Sequence, residues 1–215
     1  MPWMVLKACA FVSCCDTLWR SDRALSTVDA MDLYTLAALP LSAERGWPEL
    51  LRARPGGWRL LLQIVLPVAL LPPAVLYLAG TIILTGVGSA SHPWGELSML
   101  VLLAEFASVA AAGLLFRHIA GAYALVLGPR EARLLAALAP LPLWASAAGL
   151  ALPGVAAPAA ALLIGLGLSC GIAYHGLVAM CRPREALVAA AVVQVAAGAG
   201  LAAWGCLAIA LAMLI

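Results

Sequence analysis

Five stretches of this sequence are each apolar over the length of a bilayer: Leu60–Leu84, Leu97–Ala120, Ala132–Ala151, Val155–Met180 and Ala186–Ile215. A hydrocarbon core about 30 Å thick takes about 20 helical residues to cross, so each run is an expected transmembrane helix. The two-residue alternation of a membrane β-barrel is missing from them. The chain is 65% hydrophobic and 10% charged, against about 45–50% apolar in a soluble domain. A water-soluble fold of this length could not cover so much apolar surface. The expected fold class is therefore all-α, a polytopic membrane protein built as a bundle of five transmembrane helices.

The arginines give the threading. Arg52, Arg54 and Arg59 precede the first span, and the following loop, 86–94, has no Lys or Arg. Arg117, Arg130 and Arg133 surround the connection between spans two and three, and the turn at Pro153 carries no charge. Arg182 and Arg184 lie between spans four and five, and nothing basic follows. Basic charge thus alternates from loop to loop, as the positive-inside rule requires. The N-terminus is expected in the cytoplasm and the C-terminus outside. Trp58, Arg59, Arg117, Arg182 and Arg184 are the expected anchors at the membrane interface.

Prolines interrupt two spans: Pro67, Pro72 and Pro73 in the first, Pro140 and Pro142 in the third. Each removes a backbone donor and forces a bend, which membrane helices tolerate when neighbours or water satisfy the freed carbonyls. The kinks serve packing, or else a hinge or substrate cavity. Span four carries Gly167 and Gly171 at GxxxG spacing, and span five carries "QVAAGAGLAAWG". Such small residues let helices approach closely, and packing within the chain is expected from them rather than dimerisation.

Residues 1–57 read as a cytoplasmic N-terminal segment and 58–215 as the transmembrane domain. Cys9, Cys14 and Cys15 have no histidine near them to complete a zinc site, so reduced thiols are expected. No secretory signal with a closing cleavage site is apparent. Met31 is an alternative start, which would make residues 1–30 non-native. "PELLRARPGGWRLL" is expected to lie on the inner leaflet as a short amphipathic approach, held by Leu50, Leu51, Trp58 and the arginines.

The order of these features resembles the Yip domain family, the Ypt/Rab-interacting membrane proteins, in its bacterial branch. The likeness is carried by "RARPGGWRLLLQIVLP", "APLPLWASAAGLALPG" and "AYHGL", with Pro142, Leu143, Trp144, Gly149, Pro153, Tyr174, Gly176 and Leu177 at the matching places. It covers residues 45–215. The eukaryotic motif Asp-Leu-Tyr-Gly-Pro is met only by Asp32, Leu33 and Tyr34, which Thr35 and Leu36 follow. The resemblance implies a membrane protein that binds partners in a bacterial inner membrane. It implies no activity, and a GTPase-binding role does not carry over.

No catalytic constellation occurs. The histidines are His92, His118 and His175, without HExxH, GxSxG or a phosphate-cradling loop, and no aspartate follows Asp32. No enzyme activity, metal, cofactor or nucleic acid is expected. The expected partners are the lipid bilayer, other membrane proteins or a second copy. His175, beside Tyr174 in span four, is expected to bond a neighbouring helix. Glu105 is the exception in span two. A charge at mid-bilayer costs about 2.5–3.5 kcal/mol on insertion scales and should face protein or water. Counted along the helices, Glu105 lies roughly 13 Å below the outer end of span two, and Gln194 roughly 12 Å above the inner end of span five. A clasp between a protonated Glu105 and Gln194 is the expectation, and a proton or cation path is its rival. The corresponding functions are a non-enzymatic scaffold or interaction protein and, alternatively, a small transporter or channel.

Overall fold

A computed structural model describes residues 39–44, 46–53, 60–84, 94–152, 154–181, 183 and 186–213. It is all-helical, with no strand among the described residues. Five helices are long and apolar enough to cross a membrane: Leu61–Thr81, Trp94–Ala122, Pro129–Ala151, Ala156–Cys181 and Ala186–Ile209, here spans one to five. Their bounds fall close to those expected from hydropathy alone. This is a multi-pass membrane protein of the all-α class. Arg117, Arg130 and Arg133 mark one end of the bundle, termed the basic end.

Spans one and three are broken where their prolines stand. Before Pro67 the helix widens into a π turn, Leu61–Val65, in which the Leu66 N–H reaches back to the Leu61 carbonyl. Pro67 offers no N–H to the Gln63 carbonyl, so ordinary α bonding cannot continue there. A short helix, Leu66–Ala69, then gives way at Leu70 to a second, Leu71–Leu78. Thr81 reinforces the following π segment, Ala79–Leu84, by donating its hydroxyl to the Tyr77 carbonyl at 2.8 Å. Span three runs as Pro129–Leu138 and Leu141–Ala145, then tightens into a 3-10 turn, Ser146–Ala151. Its interruption sits at Pro140 and Pro142.

Span two, an unbroken helix, packs along the second half of span one, the first half of span three, and span five. Gly113 of span two lies against Ala132 and Ala136 of span three. At the opposite end, Gly80 of span one sits so close to the Trp94 ring that a Cβ there would overlap it. Span four packs on Leu141–Ala151, where Gly165 admits the Pro142 carbonyl and Gly149 admits Ala161. The loop after span two closes with Ala124 at φ 56°, and the N–H groups of Ala124 and Leu125 bond the Gly121 and Ala120 carbonyls. That is a Schellman stop with alanine where glycine is usual.

The segment before span one departs from expectation. It holds a short helix, α1 (Trp47–Ala53), whose apolar face is buried on the bundle. Trp47 and Leu50 are 0% exposed and Leu39 is 1% exposed. The Trp47 ring reaches Gly176 of span four and adjoins Leu135 of span three, while the Pro40 carbonyl rests on Gly171. Gly171 stands roughly 15 Å inside the end of span four, counting ~1.5 Å per residue. The segment is wedged between spans three and four in the basic half of the bundle. Irregular backbone is tolerated at such depth only when protein surrounds it or it lines a watery cavity. Here Trp47 donates its indole N–H to the Leu39 carbonyl at 3.0 Å, and Gly46 takes the left-handed conformation (φ 83°) that lets the chain turn into α1. Leu51 is half-buried and Arg52 exposed, so of the expected surface anchors Leu50 faces the interior instead.

The small residues are also used differently from expectation. Gly171 packs within the chain, but on the wedge, while Gly167 meets nothing within 4 Å. Span five buries Ala189, Val192, Val193 and Ala196, whereas Gly198, Gly200 and Gly205 have open space beside them. Among the described residues, the fully buried positions of span five all lie in its half nearer the basic end.

Candidate intramembrane polar site

The buried polar side chains among the described residues are Ser98 (9% exposed) and Glu105 (1%). Both belong to the stripe Trp94, Leu97, Ser98, Val101 and Glu105, which continues through Gly113 and Phe116. This three-and-four spacing is one face of a helix, turned toward spans one and three. A glutamate on that face cannot avoid the interior, which explains its burial. Ser108 donates to the Glu105 backbone carbonyl at 2.8 Å, and Ser146 in span three donates to Leu143 at 2.6 Å. These hydroxyls therefore bond their own helices. The Glu105 Oε2 and Ser98 Oγ atoms are buried without a hydrogen-bond partner.

The Glu105–Gln194 clasp does not form, because Gln194 is exposed. Depth is only one of two coordinates. Val192, Val193 and Ala196 turn inward from span five, and at about 100° per residue Gln194 is carried off that face. Tyr174 and His175 are half-buried in span four, with their rings edge-on at 5.1 Å and 76°. The hydrogen bond from His175 to another helix is not found among the described residues. Neither residue is brought to Glu105.

Of the expected anchors, Arg117 is exposed at the basic end beside His118, in a shallow groove with Ala111, Leu114 and Gly121. Trp58, Arg59, Arg182 and Arg184 lie outside the described residues, as do Cys9, Cys14, Cys15, Asp32, Tyr34 and His92. Of the proline kinks, Pro73 is buried, Pro72, Pro140 and Pro142 are half-buried, and Pro67 is exposed. The broken middles of spans one and three pack against each other. No group of three potential metal ligands occurs among the described residues.

The wedge is the feature that sequence reasoning missed. Gly171 and Gly176, two glycines near one end of span four, were its signal. No family model, curated protein or solved structure matches this chain.

Proposed function

We propose that this protein is a non-enzymatic bundle of the Yip-like type that organises protein or lipid partners in a bacterial inner membrane, with its N-terminus in the cytoplasm. The supporting observation is how the polar and apolar surfaces are divided. Glu105 is sealed at 1% exposure, while the most apolar stretch of each span is only 17–28% buried within the chain. The spans therefore offer most of their surface to lipid or to other helices and enclose little. The wedge closes the basic half, which is the cytoplasmic half in this reading. Site-specific photo-crosslinkers at the exposed residues Leu114, Leu163, Leu187 and Ile209 test it in native membranes. Discrete protein adducts from one face support a scaffold, whereas lipid adducts from every position count against a protein partner.

The adjoining breaks in spans one and three favour a second reading, a small transporter or channel. Discontinuous helices at the bilayer midplane are where transporters place their sites, and an intramembrane acid is a common part of a proton path. Proton or sodium flux into liposomes holding the purified protein, abolished by Glu105→Gln, would replace the scaffold reading with this one.

A further inference from the structure

We propose that the outward face of span five, centred on Gln194, binds a second copy of this chain, the two Gln194 amides exchanging hydrogen bonds across a two-fold axis normal to the membrane. The sequence has two side-chain amides, Gln63 and Gln194. Gln63 stands two residues past Leu61, about 3 Å inside span one, within reach of the headgroups. Gln194 stands eight residues past Ala186, roughly 12 Å inside span five. It is exposed on the outside of the bundle, and its amide forms no hydrogen bond among the described residues. Lipid tails offer neither donor nor acceptor, so an amide held at that depth bears an unmet desolvation cost.

The surface around Gln194 is continuous. Span five is one unbroken helix, Ala186–Ala212, so positions on it follow from about 100° per residue without crossing a kink. Its buried residues, Ala189, Val192, Val193 and Ala196, pack toward spans two and four. Gln194 points nearly the opposite way. Leu187, Ala190, Gly198, Leu201 and Gly205 fall within about 40° of it around the helix, and all are exposed. Together they make a strip roughly 27 Å long, close to the full hydrocarbon thickness. Among the described residues, nothing lies within 4 Å of the Cβ positions at Gly198 and Gly205.

The occupant that matches this strip is the strip itself. Copies threaded by the same arginines run parallel and present Gln194 at one depth. A carboxamide is donor and acceptor at once, and a two-fold axis sets each amide against the other, giving two hydrogen bonds. Gly198 and Gly205 let the two backbones approach, while Leu187 and Leu201 fill the space beside them. A methyl fits such a strip, which already carries Ala190, whereas a large side chain at Gly198 or Gly205 holds the helices apart. The inference rests on the membrane-spanning fold and on neither functional reading above.

Förster transfer between copies that carry a donor or an acceptor dye on an N-terminal tag tests this in phosphatidylethanolamine–phosphatidylglycerol liposomes. Transfer in the parent should exceed that of randomly mixed monomers and saturate as protein density in the membrane rises. Gln194→Leu should move the half-saturation density upward about eightfold, the worth of two average interhelical hydrogen bonds. Gly198→Leu should weaken pairing at least as much. Gly200→Leu should leave it unchanged, because Gly200 is equally open within the chain but lies about 120° around the helix from Gln194. Transfer no greater than random mixing overturns the proposal and leaves the strip to lipid or to a different protein. A Gln194→Leu curve that overlies the parent's, or equal weakening by Gly200→Leu and Gly198→Leu, overturns the assignment of this face.

Discussion

Replacing Gly176 by alanine tests whether the N-terminal segment is wedged into the bundle. In an exposed helix this change stabilises by about 0.4–1 kcal/mol, because alanine restricts the unfolded chain. At Gly176 the added methyl would stand 2.5 Å from Leu135 Cδ1 and 2.6 Å from the Trp47 Cη2 atom. Both neighbours belong to fully buried side chains, so neither can swing into open space. Overpacking of this kind costs about 1–3 kcal/mol. Set against the helix gain, the net loss is about 1–2 kcal/mol, or roughly 2–8 °C in melting temperature for a chain of this size. Gly198→Ala is the control, because nothing lies within 4 Å of its Cβ position; it should melt at or above the parent temperature. The clash falls on the outer edge of the indole, so Trp47→Leu removes its target, and Gly176→Ala should cost less in that background. Trypsin reads the wedge directly. Cleavage after Arg52, which follows Trp47 in α1, should accelerate in Gly176→Ala and stay slow in Gly198→Ala. If Gly176→Ala and Gly198→Ala melt alike and are cut alike, Trp47 is not seated between spans three and four, and the wedge is wrong.

Ala124→Gly should stabilise the protein by about 1 kcal/mol, measured by melting in detergent, because alanine at φ 56° carries a left-handed penalty that glycine does not. Gly80→Ala should destabilise by about 1–3 kcal/mol in the same assay, since the atoms nearest its Cβ position belong to the Trp94 ring. A phosphatase reporter fused after Ile215 should be active and one fused after Arg184 inactive; the reverse pattern would invert the threading that the arginines imply.

The spans were legible because hydrophobic length is a property of consecutive residues and needs no partner. The breaks were legible for a related reason: a proline removes its own N–H whatever surrounds it. Both readings concern one segment at a time. The wedge was not legible in the same way. "WPELL" has one apolar face, and a helix lying on a membrane needs such a face as much as a helix packed inside a bundle does. What separates the two is the surface opposite, and that surface is built by Gly171, Gly176 and Leu135, far along the chain.

Glu105 shows the same limit more sharply. Its burial could be anticipated, because a carboxyl in an apolar span must turn inward. Its partner could not be found by matching polar side chains by depth, which selected Gln194 and ignored the helical angle. The packed face of span five is defined by Val192, Val193 and Ala196, and Gln194 falls outside it. Searching side chains also passes over the backbone, which in lipid holds the larger store of unmet acceptors. Pro72 and Pro73 stand at the third and fourth positions after Ala69, and that spacing alone marks one carbonyl that no turn of its own helix can satisfy. Two prolines in tandem thus carry more information than two kinks. They name an acceptor that its own helix cannot satisfy.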